Sequence, residues 1–220
     1  MKLAKASRTL GMVALAAIAS PLAVADDTGW YGGLSIGQSR AKIDDSRITS
    51  ELLGSGLTVT SINDDEKHFG YKAFVGLKIN KNFALEGGYF NLGTFGFTAT
   101  TVPAGTLTGN VKYSGVNLDA VGILPVSDKF SAFGRIGVQY GQSTGSYTGT
   151  GAVAVSNPNP SERAVNYKAG LGVQYDFTDN IGLRGEWERY RISDAVGNQG
   201  NVDMISVGLV VIFGGSKPAP

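Results

Sequence analysis

The sequence predicts an all-β fold, an eight-stranded antiparallel up-and-down β-barrel. Two observations support this prediction: apolar and polar residues alternate in eight stretches, and the connections between the stretches are alternately short and long. An alternation with a period of two is typical of a strand with one apolar and one polar face. An even number of strands, with tight turns at one end and longer loops at the other, is the plan of a closed up-and-down barrel that crosses a membrane.

The eight predicted strands follow one another with almost no proline in their centres. They are Trp30–Ile43, Lys67–Ile79, Phe83–Phe97, Asn110–Val126, Phe130–Gly145, Arg163–Phe177, Ile181–Ser193 and Asn201–Gly215. Three short connections, at 80–82, 127–129 and 178–180, carry Asn or Asp, which favour tight turns. The longer connections at 44–66, 98–109, 146–162 and 194–200 are predicted to be loops at the opposite end of the barrel.

The N-terminal segment at 1–25 has the layout of a secretory signal peptide. Three basic residues precede a short apolar run at 10–19, and Ala23 and Ala25 flank a cleavage point. The segment carries no acid, so the mature chain holds sixteen Lys and Arg against eighteen Asp and Glu. This balance excludes the basic character of a nucleic-acid-binding protein. The chain has no cysteine, which excludes disulfides and thiolate metal sites.

Aromatic residues beside the short turns and the chain ends indicate that the barrel lies in a membrane. These residues are Trp30, Phe83, Phe130, Tyr175, Phe177 and Phe213. A row of aromatic side chains at one level is typical of the girdle where a barrel meets the membrane interface. Together with the export signal, it predicts a transmembrane barrel in the outer membrane, with lipid around it and both termini in the periplasm. Alternation alone would equally suit a soluble sandwich. No run of eighteen apolar residues follows residue 25.

The last predicted strand shows the two faces clearly. Its apolar residues, expected to face lipid, are Ile205, Val207, Leu209, Val211 and Phe213. Ser206 and Gly208 are expected to face a narrow interior. Small barrels are filled by side chains, and charges inside them must pair. Further inward candidates are Lys72, Lys78, Asp119, Arg135, Lys168 and Glu186.

Several stretches together resemble the transmembrane domain of the outer membrane protein A (OmpA) family. They include "GWYGGLSIGQSRAKID", "FVGLKINKNFALEGGYFNLG", "GVQYDFTDNIGLRGEWERY" and "MISVGLVVIFG", and the match runs in order through nearly all of 28–215. The resemblance implies an eight-stranded barrel over 26–215, a role in outer-membrane integrity, small-pore activity and surface-exposed loops. Many members continue through a Pro/Ala-rich hinge into a peptidoglycan-binding domain. Residues 216–220 resemble the start of that hinge, so peptidoglycan binding is not expected of these residues alone.

The resemblance also implies roles for particular residues. Glu86 and Arg184 match an inner acid–base pair of the family. A second inner pair of the family falls on Val121 and Gln174, where both charges are absent. The end of the last strand, which closes on Phe213, matches the signal by which the barrel assembly machinery recognises its substrates.

Three functions follow as hypotheses: a structural outer-membrane barrel, a small-solute pore and an outer-membrane enzyme. A Ser–His–Asp enzyme would need His68, the single histidine, which lies near the outer end of a strand. The acidic stretches "DDSR" and "NDDE" lack the ligand spacing of a dedicated Ca²⁺ loop. The sequence therefore predicts a structural barrel without catalysis, metal or cofactor.

Overall fold

The computed structural model describes residues 29–193 and 199–213. The predicted signal segment, the tail at 216–220 and residues 194–198 of the fourth long connection lie outside this range. The elements are β1 (Gly29–Ala41), α1 (Asp45–Gly54), β2 (Thr58–Asp65), β3 (Lys67–Lys78), β4 (Phe83–Val102), β5 (Gly105–Pro125), β6 (Phe130–Gly151), β7 (Ser161–Asp176), β8 (Ile181–Ser193) and β9 (Gln199–Phe213). No helix in the described residues is both long and apolar enough to cross a bilayer.

Eight of the strands, all except β2, close into a ring in which every neighbouring pair is antiparallel. The ring closes where β1 pairs with β9, from Trp30 opposite Phe213 to Ala41 opposite Val202. Closure pairs the edge strands with each other, which a barrel in hydrocarbon requires. The predicted fold class, an eight-stranded up-and-down barrel, is confirmed.

The prediction of a loop over 44–66 is wrong, because this connection contains α1 and β2. Asp44 caps the helix, and its carboxylate accepts a hydrogen bond of 3.1 Å from the backbone N–H of Arg47. Leu52 of α1 is buried against Ala99 of β4 and Val153 beyond β6. The helix is therefore held by a small apolar cluster outside the ring, which strand alternation alone does not predict.

The predicted loop at 98–109 is also largely strand, and β6 and β7 extend into the two ends of the predicted loop at 146–162. β4 and β5 remain paired up to Thr101 opposite Gly105, and β5 and β6 up to Gly105 opposite Gly151. These extensions, called the outer hairpins below, are rich in Thr and Gly and lack the apolar alternation of the barrel wall. Their polar side chains bond across strands instead, as between Thr106 Oγ1 and Thr150 Oγ1 at 2.6 Å.

A continuous apolar surface surrounds the ring. The five alternate residues of β9 from Ile205 to Phe213 are 40–67% exposed, while Ser206 is buried inside, as predicted. Apolar side chains are exposed in the same way on the other strands of the ring, which is expected of a surface that lies in lipid and not of a soluble protein.

Aromatic side chains lie at both edges of this surface. Of the six rim residues predicted from the sequence, Phe83, Tyr175, Phe177 and Phe213 are exposed, and Trp30 and Phe130 are partly exposed. All six lie at the end of the ring that carries the short turns. A second exposed row, which was not predicted from the sequence, lies toward the other edge and consists of Phe69, Tyr71, Tyr89, Tyr140 and Tyr167.

A β-bulge in β4 changes which residues face the interior. Asn91 lies opposite Ser114 and Gly93 opposite Tyr113, so Leu92 is an extra residue. Gly93 has a φ of +89°, which favours glycine, and its N–H donates to the Asn91 side chain over 2.9 Å. The alternation is reversed beyond the bulge, and Phe95 is consequently buried inside together with Leu92.

Candidate functional site in the barrel interior

Four acidic and four basic side chains fill the middle of the barrel, and this group is called the charge layer below. Its members are Lys72, Glu86, Asp119, Arg135, Lys168, Arg184, Glu186 and Glu188, each at most 5% exposed. They come from six consecutive ring strands, β3 to β8, each of which directs alternate residues inward. The formal charges cancel, which is the condition for burying ions at tolerable cost.

The structure places Glu86 and Arg184 in contact, with Arg184 Nη1 2.7 Å from Glu86 Oε1. They are not an isolated pair. Arg135 Nη1 lies 2.9 Å from the other carboxylate oxygen, and the Tyr31 hydroxyl donates to Oε1 over 2.7 Å. Arg184 Nε also donates to Gln174 Oε1 over 3.0 Å. The position where the resembling family carries a second charge thus holds an amide that supports Arg184.

The second centre of the charge layer is Glu188, which was not among the inward candidates predicted from the sequence. It accepts hydrogen bonds from Lys72 and, over 3.1 Å, from the Tyr190 hydroxyl. Lys168 Nζ lies 2.7 Å from its other oxygen. The inward register shared with Arg184 and Glu186 was the signal that could have identified it.

The remaining candidates extend these contacts. Lys72 lies 2.9 Å from Glu186, and Lys168 lies 2.8 Å from Asp119. Arg135 contacts Asp119 at 3.3 Å and Glu186 at 2.7 Å, in addition to Glu86. Lys78, also predicted to face the interior, is only half-buried at the end of β3 and makes no ion pair within the described residues.

An apolar layer lies on each side of the charge layer. The outer apolar layer contains Ala41, Phe90, Leu92, Phe95, Tyr113, Tyr190, Val202 and Met204. The inner apolar layer contains Tyr31, Phe74, Ala84, Val121, Phe133 and Val210. Val121 is therefore a packing residue of the inner apolar layer, and its apolar side chain leaves no charge of the charge layer without a partner.

Aromatic rings fill the width of both layers. In the outer layer the Phe90 ring lies 4.9 Å from the Tyr190 ring, between centroids. In the inner layer, Gly76 makes room for Tyr31, since a Cβ at this glycine would lie 2.3 Å from the ring. The Arg184 guanidinium lies 4.8 Å from the ring centroids of Phe74 and Phe133, which adds cation–π attraction. The charge layer is thus closed from both ends.

His68 is the single histidine and the side chain that a Ser–His–Asp enzyme would need. His68 is exposed, and its Nδ1 lies 3.1 Å from the backbone oxygen of Phe69. No group of three or more His, Asp or Glu residues within 29–193 and 199–213 is arranged to hold a metal ion. The side chains of the charge layer pair their charges, and those of the two apolar layers fill the barrel by packing.

Known proteins are similar to this chain in sequence and fold. A family model described as outer membrane protein beta-barrel domain matches residues 10–213. An uncharacterized protein of Coxiella burnetii (strain RSA 493 / Nine Mile phase I) is 27% identical over 200 residues, covering 78% of this chain and 80% of that protein.

Two solved structures are similar to this chain at low sequence identity. The crystal structure of Neisserial surface protein A (NspA) is 13% identical and matches with a TM-score of 0.57, over 84% of this chain and 97% of that one. The N-terminal β-barrel domain of Pseudomonas aeruginosa OprF is 14% identical, with a TM-score of 0.47 over 84% and 98% of the two chains. At such identities the likeness to NspA concerns the fold.

Proposed function

The chain belongs to the outer membrane protein β-barrel domain family, and on this premise we propose that it is a structural, non-conducting barrel that supports an exposed outer platform. The resemblance to OmpA-type barrels is confirmed at the level of the family, and with it the location in the outer membrane. The proposal adds that both termini lie in the periplasm and that α1 and the outer hairpins face the cell exterior. The observation that carries it is the charge layer, which is closed between two apolar layers.

The closed interior argues against steady ion flow. Eight strands leave just enough room for side chains, and here large side chains occupy that room. An ion crossing the barrel would have to displace paired groups such as Glu86 and Arg184 from a buried layer. Leaving one member of a buried ion pair without its partner costs about 3–5 kcal/mol, and the aromatic rings on both sides would also have to move.

The outer surface supports the structural part of the proposal. The continuous apolar surface would contact outer-membrane lipid, and the aromatic rows would fix the depth of the barrel in the membrane. The end of β9 at Phe213 would present the assembly machinery with its recognition signal. The proposal assigns no catalysis to the chain, since His68 is exposed and bonded only to its neighbour's backbone among the described residues.

A small-solute pore is the second candidate, and one observation favours it. Arg135 lies within 3.6 Å of four carboxylates, those of Glu86, Asp119, Glu186 and Glu188. A cation with several acceptors can exchange one for another without becoming unpaired. Such an exchange could open a transient path through the charge layer.

Single-barrel recordings in planar lipid bilayers distinguish the two candidates. The wild type should be silent, and Glu86→Gln with Arg184→Gln should introduce a small conductance. The matched control is Arg189→Gln with Asp203→Asn, which removes a cross-strand pair of 2.8 Å on the exposed face. Steady conductance by the wild type would replace the structural proposal with the pore. A silent double variant would mean that the apolar layers seal the barrel without the pair.

A further inference from the structure

A cavity of about 340 Å³ opens at the outer end of the barrel. Its floor includes Ala41 and Phe95 of the outer apolar layer and Ile192, which packs on that layer. One wall is α1, through Ile48 and Leu52. The other walls are the outer parts of β4 and β5 and the segment after β6, through Phe97, Leu107, Val111, Val153 and Val155. The base and sides of the cavity are therefore mostly apolar.

The rim of the cavity is charged, but most of its charges already have partners. Asp44 caps α1, and Glu51 accepts a hydrogen bond of 2.8 Å from Arg47. Lys42 also lines the cavity, is exposed, and contacts no carboxylate of the described residues. Among the described residues, Lys42 is therefore the rim cation without a paired carboxylate, and its ammonium group is available to a ligand.

We propose that this cavity binds a small amphiphile with an aliphatic body and an anionic headgroup, of the chemical class of medium-chain fatty acids. The volume lies at the small end of the range typical of ligand sites, which are mostly apolar with a few polar groups that orient the ligand. The hydrocarbon chain would lie on Phe95, Phe97 and Leu107, and the carboxylate would lie beside Lys42. This site is distinct from the charge layer and does not depend on whether the barrel conducts.

The floor of the cavity determines whether a bound ligand can move further into the barrel. Below Phe95, the stacked rings of Phe90 and Tyr113, with centroids 5.9 Å apart, close the barrel. A bound amphiphile therefore has no path into the charge layer. The site would hold its ligand at the cell surface and release it to the same side, which is binding and not passage through the membrane.

The test uses the intact barrel in lipid nanodiscs, because detergents are themselves amphiphiles and would compete. Binding of decanoate is measured by titration calorimetry, with the heat of empty nanodiscs subtracted. Decanol and decyltrimethylammonium are the neutral and cationic comparisons. Ala154→Trp places a large ring at a residue that lines the cavity, and Ala152→Trp makes the same change two residues away, at an exposed position outside the lining.

Wild type and Ala152→Trp should bind decanoate more tightly than decanol or the cationic probe, and Ala154→Trp should weaken decanoate binding by about tenfold or more. Lys42→Gln should reduce the preference for decanoate over decanol by about two- to fivefold, the size expected of an exposed ion pair. Heat-modifiable gel mobility establishes that all variants are folded barrels. Equal decanoate binding by the two Trp variants, or a preference for the cationic probe, would overturn the proposal. Neither result bears on the conductance of the barrel.

Discussion

Arg184 reaches across the barrel to Glu86, with its Nη1 2.7 Å from the carboxylate, although β8 and β4 lie on opposite sides of the ring. Three strands separate β4 from β8 in either direction around the closed sheet. The two residues are 98 positions apart in the chain. This contact can form only when the ring is closed or nearly so, and it joins opposite walls that share no backbone hydrogen bond.

Replacing one residue of this pair should lower the free energy of unfolding more than replacing both. Glu86→Gln leaves Arg184 without its carboxylate partner and the charge layer with a net positive charge, and we expect a loss of about 3–5 kcal/mol in the free energy of unfolding. Glu86→Gln with Arg184→Gln restores neutrality and should cost less than the single change. Urea unfolding from lipid vesicles, followed by tryptophan fluorescence, measures both. The exposed single change Arg189→Gln should cost about 0–1 kcal/mol. Equal losses for the single and double variants would contradict burial of the charges away from water.

Phe213→Ala should impair assembly more than it impairs the stability of folded barrels. Phe213 ends the last strand, where the proposed assembly signal lies, whereas Phe83 lies on the same rim within the chain. Both side chains are 59% exposed, so Phe83→Ala is a matched control for the loss of lipid contact. The measurement is the amount of heat-modifiable barrel in isolated outer membranes. If the two variants accumulate equally, Phe213 contributes only to the aromatic rim.

The orientation of the barrel can be tested with single cysteines, because the chain has none of its own. Ser156 lies in the segment 152–160 between β6 and β7, and Lys81 lies in the short turn between β3 and β4. On intact cells, a membrane-impermeant maleimide should label Ser156→Cys and not Lys81→Cys. Lysis should make both reactive. Labelling of Lys81→Cys before lysis would reverse the proposed orientation.

The contact between α1 and β2 should weaken as the pH rises through 6. Partial burial, together with the adjacent carboxyl group of Asp45 and the charge of Glu66, raises the pKa of Asp64 to about 6. A carboxyl whose pKa is raised in the folded state stabilises that state fully below its unfolded pKa, near 4, and loses this contribution as the pH rises through 6. The ¹³C shift of the Asp64 carboxyl should report the midpoint.

Amide hydrogen exchange in α1, corrected for intrinsic rates, should show less protection at pH 7.5 than at pH 5. Asp64→Asn should remove this difference, and Asp65→Asn, at the next residue, should leave it in place. A pH-independent protection of α1 in the wild type would mean that the two carboxyl groups do not interact.

The wall of the barrel was predictable because lipid on one side and packed side chains on the other impose the same alternation on every strand. The contact of Glu86 with Arg184 was indicated only by resemblance. The additional contacts of Arg135 and Lys168 depend on how opposite strands are offset around the ring. That offset is set by closure and by the bulge at Leu92, and it leaves no local signal in the sequence.

The outer part of the fold was predicted less well for a different reason. The hairpin extension around Thr106 carries few apolar residues, among them Leu107, which packs on the cluster beside α1, so the extension shows no apolar alternation. The helix at Asp45–Gly54 is stabilised by a cluster that includes Ala99 and Val153, both distant in sequence. An alternation of apolar and polar residues does not predict such segments, because they are stabilised by contacts with residues that are distant in sequence.

The equal number of acids and bases in the charge layer also limits how this barrel can diverge. A single substitution that removes Glu188 or Lys168 leaves a buried charge uncompensated, so acceptable changes must come as pairs drawn from strands far apart in the chain. Leu209 on the lipid face can be exchanged for another apolar residue without any partner changing. Descendants of this barrel should therefore vary freely on the outside, while the interior changes in correlated steps between distant positions.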